Sequence, residues 1–349
     1  MAGRDDYADA YLKALRNELD QLGQPRGVDT IFIGGGTPTH LDALWLKRLL
    51  ALVRHWFPLA AGGEFSVEAN PGDVNWEKLD VLKDSGVNRV SLGVQSFRAD
   101  KLGRLERDHD QRVAELAVAA AAEVIGNVSI DLIFAAPGET AADWDEDLRT
   151  ALGLPINHLS TYGLTFEKGT RFWNRLNQGE LSVAGEETEL AMYKNAITRC
   201  RQAGWRHYEV SNFAAPGYEC RHNKAYWEGR GWYGVGPGAA SFVDGFRKVN
   251  HRSPTTYIRR LLKGQLPVAE SESIDRETWA RERLVFGLRM LDGVDLQEIE
   301  RETKYKIGEA CKTALLSLEQ AGMLELRGSL VRLSESGLYV SDSVLSELL

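Results

Sequence analysis

A run of three glycines ends a short apolar segment near the beginning of the chain. Gly34, Gly35 and Gly36 follow the β-branched and aromatic run 28–33 and precede Thr37. Glycine adopts backbone angles that other residues avoid and leaves its N–H and C=O groups uncovered, so main chain alone could hold a carboxylate, an amine or a phosphate here. For such a turn considered alone, a tight strand-to-helix connection without a ligand is the simpler interpretation.

Polar side chains also stand at the predicted ends of three later apolar runs. Glu68, Gln95 and Asp131 each lie at or near the carboxyl end of a different predicted strand. In parallel α/β folds this end of the sheet is where ligands bind, and the glycine turn lies at the same end. Each residue alone is explained as a satisfied polar group. Together with the glycine turn they predict a pocket.

The elements that would position these groups alternate along the chain. The chain opens on a predicted helix over 7–22, whose apolar residues have helical spacing. Predicted strands cover 28–33, 64–70, 89–95, 128–134 and 159–164, and predicted helices cover 42–56, 75–84, 111–124, 140–152 and 186–203. Repeated βα units give parallel strands with helices outside, as an open sheet or as a whole or partial barrel.

Composition restricts the class of protein. The 349 residues are 43% hydrophobic and 26% charged, which is ordinary for a globular chain. Fifty acidic against 42 basic residues, a net charge of −8, argue against a nucleic-acid or anionic membrane surface. The cysteines at positions 200, 220 and 311 are far apart, so a disulfide framework is not expected and a reducing cytoplasm fits best. No apolar run approaches the roughly 18 residues of a membrane span, and acidic residues replace the apolar core of a signal peptide.

Six motifs in order carry a resemblance to a known family. They are Gly34-Gly-Gly-Thr-Pro-Thr, Glu68-Ala-Asn-Pro71, Ser91-Leu-Gly-Val-Gln95-Ser-Phe97, Leu105-Glu-Arg107-Asp-His109, Ile130-Asp131-Leu-Ile-Phe-Ala-Ala-Pro137-Gly138 and Cys220-Arg-His222-Asn223-Lys-Ala-Tyr226-Trp227. In this order the sequence resembles the radical S-adenosylmethionine proteins related to oxygen-independent coproporphyrinogen III oxidase. The last motif, His-Asn-x-x-Tyr-Trp, points to the haem-chaperone branch rather than to the oxidase.

The resemblance implies a partial (β/α)6 barrel that lacks its first strand and holds S-adenosylmethionine along its rim. By position in the motifs, Gly35, Gly36 and Thr37 would meet the methionine amine and carboxylate of this cofactor. Glu68 would meet the ribose hydroxyls, and a carboxylate suits a vicinal diol as a bidentate acceptor. The same resemblance assigns Gln95, Arg107 and Asp131 to the remaining polar groups and Gly163 to the adenine.

One departure concerns a metal cluster. The family begins with a strand and a Cys-x-x-x-Cys-x-x-Cys loop whose thiolates hold a [4Fe–4S] cluster, and this chain shows neither. We therefore expect either a start codon placed too late or a lineage that has lost the chemistry and kept the scaffold, and we favour the first because the rest of the rim is intact. As given, the chain should not cleave S-adenosylmethionine reductively. Without that strand, 30–33 should be an unpaired edge through which chains dimerise or aggregate.

A segment rich in aromatic residues and glycine, 206–273, follows the predicted barrel, 1–205. Flat apolar rings beside a histidine suit a porphyrin face, and His222 could ligate iron through a neutral imidazole nitrogen. Cys220 is the next candidate if the segment is extended. The alternative is that Tyr226 and Trp227 belong to the core and that His222 is a polar linker residue. Ala240 stands where relatives usually carry a histidine, which removes one candidate ligand.

The last part of the chain, 274–349, is predicted to be a winged-helix-like domain. Helical patterns cover 275–291, 295–302 and 308–321, and two short alternating runs surround Arg327-Gly328-Ser329. Such domains often bind DNA, so a regulator is a competing hypothesis. This segment, however, has 10 basic and 14 acidic residues, and a recognition helix should be basic. We therefore interpret it as a lid or a docking piece.

Three functions remain open at this point. The leading hypothesis is a haem chaperone that binds haem and transfers it to an acceptor protein, with transient contact to a membrane protein and without nucleic acid. The second is a coproporphyrinogen oxidase, a coproporphyrinogen dehydrogenase-like enzyme of porphyrin biosynthesis. The third is a cluster-less scaffold that binds S-adenosylmethionine or haem.

Overall fold

Strands and helices alternate through the first part of the chain, as predicted. The computed structural model describes residues 5–166, 169 and 171–349. The helices of this part are Asp5–Leu19 (α1), Ala43–Trp56 (α2), Trp76–Asp84 (α3), Ala99–Arg104 (α4), Gln111–Val124 (α5), Ala141–Leu152 (α6), Arg171–Asn177 (α7) and Glu186–Gln202 (α8). The strands are Val28–Ile33 (β1), Leu59–Ala69 (β2), Arg89–Gln95 (β3), Val128–Phe134 (β4), His158–Gly163 (β5), Arg206–Glu209 (β6) and Asn212–Ala214 (β7).

These seven strands form one curled sheet in the order β1-β2-β3-β4-β5-β7-β6. Strands β1 to β5 run parallel, whereas β7 is antiparallel to both β5 and β6. The prediction of a partial barrel is confirmed. The sequence patterns do not predict the closing hairpin β6–β7, because strands of three or four residues are too short to show a period.

The two faces of the sheet differ in polarity. Val90, Leu92 and Val94 of β3 are buried in the main core beneath the outer helices. Side chains alternate between the faces of a strand, so Arg89 and Ser91 lie on the other, concave face. Polar residues of β2, β4 and β5 lie on the same concave face. This face ends at the predicted rim, where the carboxyl ends of the parallel strands meet.

A second layer of strands and helices follows the half-barrel. It comprises Arg221–Trp227 (α9), Ala240–Val243 (β8), Phe246–Asn250 (β9), Pro254–Leu262 (α10) and Val268–Ser273 (β10). Strands β8 to β10 form an antiparallel sheet with β9 in the centre. Tyr257 and Leu261 of α10 pack with Ala14 of α1 in a small core of their own. Glu18 of α1 joins the layers, since its carboxylate accepts hydrogen bonds from Gly236 N–H (2.9 Å), Asn250 Nδ2 (2.5 Å) and Tyr257 OH (2.5 Å).

The C-terminal part has a separate core and a winged-helix-like arrangement. Its elements are Arg276–Gly287 (α11), Val294–Asp295 (β11), Leu296–Thr303 (α12), Ile307–Ala310 (α13), Lys312–Gln320 (α14), Leu324–Arg327 (β12), Leu330–Leu333 (β13), Glu335–Tyr339 (α15) and Ser341–Ser346 (α16). The three strands are antiparallel in the order β11-β13-β12. The predicted helix over 308–321 is interrupted at Cys311, and the predicted hairpin around Gly328 is present.

The C-terminal core contacts the half-barrel through α8 and the β6–β7 hairpin. Tyr193 and Ile197 of α8 pack against both cores. Val210 N–H donates to the Arg289 carbonyl (3.1 Å), and Leu291 N–H donates to the Tyr208 carbonyl (3.1 Å). In the part of the chain that the structure describes, no helix is both long and apolar enough to cross a membrane.

Candidate functional site

The glycine turn after β1 faces the end of β2. Gly35 adopts the left-handed backbone conformation (φ 80°), and its N–H donates to Glu68 Oε2 (3.1 Å). A Cβ at Gly34 would lie 2.5 Å from Glu68 Cδ, so only glycine fits beside this carboxylate. Gly36 has open space on its Cβ side, and the Thr37 carbonyl accepts from His40 N–H (3.1 Å). The turn therefore fixes the Glu68 carboxylate and leaves space next to it.

The next two strands end in unusual backbone conformations. Gln95 at the end of β3 (φ 67°) and Ala135 directly after β4 (φ 59°) are both left-handed, which costs roughly 1–2 kcal/mol for a residue with a Cβ. Such conformations persist only where the surroundings enforce them, and they concentrate at ligand sites. The turns after β3 and β4 are thus held in place at the rim.

A buried ion cluster holds these two turns. Lys101 donates to Glu139 Oε1 (2.5 Å) and Asp147 Oδ2 (3.0 Å), and all three residues are buried. Asp147 also accepts from Ser96 Oγ (2.7 Å) and Phe97 N–H (2.8 Å), directly after Gln95. Glu139 accepts from the N–H that follows Ala135 (2.9 Å). One lysine therefore ties both strand ends together.

Two carboxylates share the concave side of the rim. Burial raises the pKa of Glu68, against the Gly35 N–H that lowers it, and the charge of Asp131 raises it further. Burial also raises the pKa of Asp131, against hydrogen bonds from Ser160 and Ser91. The exposed Arg107 lies near enough for its charge to lower the pKa of Asp131. Two carboxylates and a guanidinium around one space suit a ligand that carries hydroxyls, an amine and a carboxylate.

Gly163 lies on the same rim at the end of β5. It pairs in register with Phe134, and a Cβ there would be 2.7 Å from Glu189 Oε1. The Glu189 carboxylate therefore fills the space where a Cβ at this position would stand. The structure thus groups Gly35, Glu68, Asp131 and Arg107 by direct contact or charge, whereas Gln95 and Gly163 share the rim only as neighbouring strand ends.

His222 lies across the glycine turn, beside the edge of β1. Its Nδ1 is 2.9 Å from Thr30 Oγ1, and its Nε2 is 3.0 Å from Tyr226 OH. The ring stacks on Phe32 with centroids 5.2 Å apart and planes inclined by 16°. Burial lowers the pKa of His222, so the imidazole is neutral near pH 7. A neutral imidazole keeps the lone pair that a metal requires.

A cavity of about 840 Å³ opens between His222 and the unpaired edge of β1. Among the described residues, β1 pairs only with β2, and its other edge faces this cavity. Residues of α1, α2 and 230–240 complete the wall, with Tyr226, Trp232 and Tyr233 as its aromatic part. The cavity reaches Gly34 and Gly35, so it adjoins the rim. Trp227 is absent from the cavity wall formed by the described residues, and its ring centroid lies 6.3 Å from that of Phe286 on α11.

Cys220 is placed differently from His222. The segment is helical rather than extended, and Cys220 precedes the first residue of α9 with only 1% of its surface exposed. Its Sγ is 3.6 Å from Glu64 Oε1, and burial raises the pKa of the thiol to about 11. It is absent from the cavity wall formed by the described residues. A protonated, covered thiol is a poor metal ligand, so the geometry favours His222.

Glu64 is a functional residue that the sequence patterns do not single out. Its buried carboxylate accepts from Arg221 N–H and His222 N–H, both at 3.0 Å. It therefore caps α9 from the neighbouring strand, where Cys220 supplies no side-chain cap. The signal available in the sequence was the alternation Glu64, Ser66, Glu68, which marks one polar face of β2.

Comparison with known proteins places the chain in a family. The Radical SAM superfamily profile matches residues 3–151, and the HemN C-terminal domain profile matches residues 274–340. The protein named Heme chaperone HemW from Bacillus subtilis is 34% identical over 347 residues, which cover 99% of this chain and 91% of that protein. The chain belongs to the HemW family of radical SAM proteins.

A further HemW relative supports this family assignment, and a solved structure shares the fold. Heme chaperone HemW from Mycobacterium tuberculosis is 35% identical over 98% of this chain and 86% of its own length. The structure of coproporphyrinogen III oxidase (HemN) from Escherichia coli, a radical SAM enzyme, aligns with a TM-score of 0.86 over 100% of this chain and 85% of that chain. At 21% identity this likeness shows the fold alone.

Membership of the HemW family implies S-adenosylmethionine and a [4Fe–4S] cluster, and the two fit this chain differently. The rim offers a glycine cradle and two carboxylates that suit S-adenosylmethionine. The three cysteines do not suit a [4Fe–4S] cluster, because Cys200 lies in the main core, Cys311 in the C-terminal core and Cys220 beside Glu64. Burial raises the pKa of each thiol. No three metal-binding side chains are grouped among the described residues.

Proposed function

We propose that this protein is a haem chaperone that binds haem in the cavity beside His222 and passes it to an acceptor protein. The observation that supports this most directly is a neutral histidine on the wall of an 840 Å³ cavity, between the rings of Phe32 and Tyr226. Aromatic rings match the faces of a porphyrin, and the imidazole matches its iron. The names of the HemW relatives agree with this proposal.

In our proposal the iron is bound by Nε2 of His222. The hydroxyl of Tyr226 lies 3.0 Å from that nitrogen, so the Tyr226 side chain has to move when the iron binds there. The other nitrogen then carries the proton and donates to Thr30 Oγ1, which is 2.9 Å away. A hydrogen bond on the second ring nitrogen fixes the tautomer and orients a histidine ligand. Thr30 is therefore the positioning partner, and Glu64 holds the helix end that carries His222.

We further propose that S-adenosylmethionine occupies the adjoining rim. Gly35, Gly36 and Thr37 would hold its amine and carboxylate, Glu68 its ribose hydroxyls, and Gln95, Arg107 and Asp131 its remaining polar groups. Gly163 would lie against the adenine. S-adenosylmethionine supplies radical chemistry only together with an iron–sulfur cluster, and the cysteines of this chain do not fit one. We therefore assign the chain binding and positioning roles and no radical step.

The oxidase alternative is weaker than the chaperone. Its support is the likeness to HemN, which shows the fold alone at 21% identity. The chaperone has the cavity and His222 in its favour. We place the protein in a reducing cytoplasm, in agreement with three unpaired, buried cysteines. Its partners would be haem and a haem-accepting protein, including one at a membrane.

The test is a haem titration of the wild type and of His222→Ala, followed by the Soret band. We expect a shifted Soret band in the wild type and at least about tenfold weaker binding in the variant, because one iron–imidazole bond is lost. His55→Ala is the matched control, since His55 is exposed and lies outside the cavity wall. Haem transfer to apomyoglobin serves as the second readout. Identical spectra and affinities in all three proteins would remove His222 as the ligand, and absence of any haem binding would contradict the proposal.

A further inference from the structure

The wall of the cavity carries more positively than negatively charged residues. Arg221, Lys224 and Arg230 contribute positive charge, and Asp29 and Glu228 contribute negative charge. A cation that pairs with an acid on the wall is already satisfied, whereas an unpaired cation is available to a ligand. The ion pairs on the wall therefore show which cations could bind a ligand.

Arg230 pairs with both acids, and its single positive charge offsets one of their two negative charges. Its guanidinium lies 2.8 Å from Glu228 and 3.8 Å from Asp29. These three residues form an internal ion cluster with exposed members, which stabilises the loop only weakly. The remaining two cations have no carboxylate on the wall to pair with.

Arg221 and Lys224 are the cations left over. Arg221 Nη1 donates to the Gly62 carbonyl (2.5 Å), a neutral acceptor. Within residues 5–166, 169 and 171–349, no ion pair joins either side chain to an acid. The two residues stand three positions apart on α9, so they are neighbours on the helix surface. His222 follows Arg221 directly on the same helix, and all three residues line the cavity.

We infer that Lys224 and Arg221 bind the two carboxylates of the porphyrin and so select a dicarboxylate porphyrin as the ligand, an inference that rests on the proposed haem site. The two propionate groups of haem lie side by side on one edge of the ring. Two adjacent cations beside a histidine match an iron porphyrin whose carboxylate edge faces α9. Charge-assisted hydrogen bonds are the stronger kind and also fix the orientation of the ring.

The experiment compares haem with its dimethyl ester, which keeps the iron and the ring but has no carboxylate. Affinities are measured by Soret titration for the wild type, Lys224→Met, Lys224→Glu, Lys224→Arg and the exposed control Lys263→Met. We expect Lys224→Met to bind haem about tenfold more weakly and Lys224→Glu more weakly still, with Lys224→Arg close to the wild type. The ester should bind all five proteins alike, apart from a small gain in Lys224→Glu.

The outcomes separate this inference from the proposed function. If the wild type binds haem and its ester equally and Lys224→Met changes neither, haem binding stands and carboxylate selection by Lys224 is wrong. If Lys224→Met weakens both ligands equally, Lys224 acts on the structure of α9 rather than on the carboxylates, and the inference is again wrong. If the wild type binds neither ligand, both proposals fail together. Thermal unfolding of each variant verifies that the fold is retained.

Discussion

At the scale of single residues, the proposed haem site depends on a histidine that stays neutral. His222 is surrounded by Phe32, Thr30 and Tyr226, and the loss of water around it lowers its pKa. The nearby Glu64 carboxylate acts in the opposite direction but does not prevail. The imidazole therefore stays ready to bind a metal at pH values where an exposed histidine is already partly protonated, below about 6.5.

This environment predicts the pH dependence of haem binding. Protons compete with iron for His222, and because the pKa of this residue is lowered in the folded protein, competition begins only below the ordinary histidine pKa of about 6.5. We expect the haem dissociation constant to stay level from pH 8 to about 6.5 and to rise at more acidic pH. Soret titrations across this range measure it. A roughly twofold rise of the dissociation constant between pH 8 and 6.5, which protonation with the ordinary pKa of about 6.5 would give, would indicate an exposed, unperturbed ligand instead.

A second residue-scale prediction concerns the glycine turn. In Gly34→Ala the new methyl group would stand 2.5 Å from Glu68 Cδ, so it should displace the carboxylate that Gly35 now holds. We expect at least about tenfold weaker S-adenosylmethionine binding by calorimetry, since one charge-assisted contact is lost. Gly103→Ala is the control, because nothing lies within 4 Å of a Cβ there. Equal affinity in both variants would show that Glu68 does not contact the cofactor.

At the scale of elements, the sequence predicts the half-barrel well. Strands β1, β3 and β4 and helix α5 have the predicted bounds, because their apolar periodicity is clear and residues typical of turns or helix caps flank them. Strand β2 begins at Leu59, five residues before the predicted start, since the segment Ala60–Gly63 has no period that marks a strand. The sequence patterns also do not predict helix α9. Its N-terminus is capped from β2 by Glu64, a long-range contact that local sequence does not encode.

Long-range contacts also limit what the sequence predicts about the rim. Glu68, Gln95 and Asp131 could be placed at strand ends from periodicity alone. The cluster of Lys101, Glu139 and Asp147 that holds the turns could not, because its members come from three separate helices and loops. Each of them alone reads as an ordinary surface charge. Only the fold removes them from water together.

This cluster gives an element-scale prediction. Lys101→Met leaves Glu139 and Asp147 buried without their cation, and breaking a buried ion pair in this way costs about 3–5 kcal/mol. The free energy of unfolding, measured by urea denaturation, should fall by that amount. Lys13→Met is the matched control, since Lys13 pairs with Asp9 in exposed positions and should cost under about 1 kcal/mol. Equal losses in the two variants would mean that the cluster does not hold the strand ends.

At the scale of the whole molecule, the main core and the small core of α1 and α10 border the cavity, whereas no described residue of the C-terminal core lines it. The main core supports the rim, the small core of α1 and α10 supports the second layer, and Trp227 of α9 contacts Phe286 of α11 in the C-terminal part. The C-terminal module thus contacts the back of the helix whose other side carries His222. Its acidic surface and its place beside α9 fit a docking piece for an acceptor protein better than a DNA-binding domain.

The last prediction joins the cavity to self-association. One edge of β1 has no strand partner among the described residues, and unpaired strand edges recruit other chains. The edge is partly covered, however, because it lines the wall of the cavity and because His222 of α9 contacts Thr30 of β1. A ligand that fills the cavity would cover the same edge. We therefore expect concentration-dependent association of the haem-free protein and its suppression by stoichiometric haem.

Sedimentation velocity over a range of protein concentrations, with and without haem, measures this effect. His222→Ala is the informative control, because haem that is no longer anchored beside β1 should not suppress association in that variant. If haem dissociates oligomers of the wild type and the variant equally, it acts elsewhere on the surface. If the haem-free protein is monomeric at all concentrations, the wall around the cavity protects the edge of β1 without a ligand, and the half-barrel is stable with that strand unpaired.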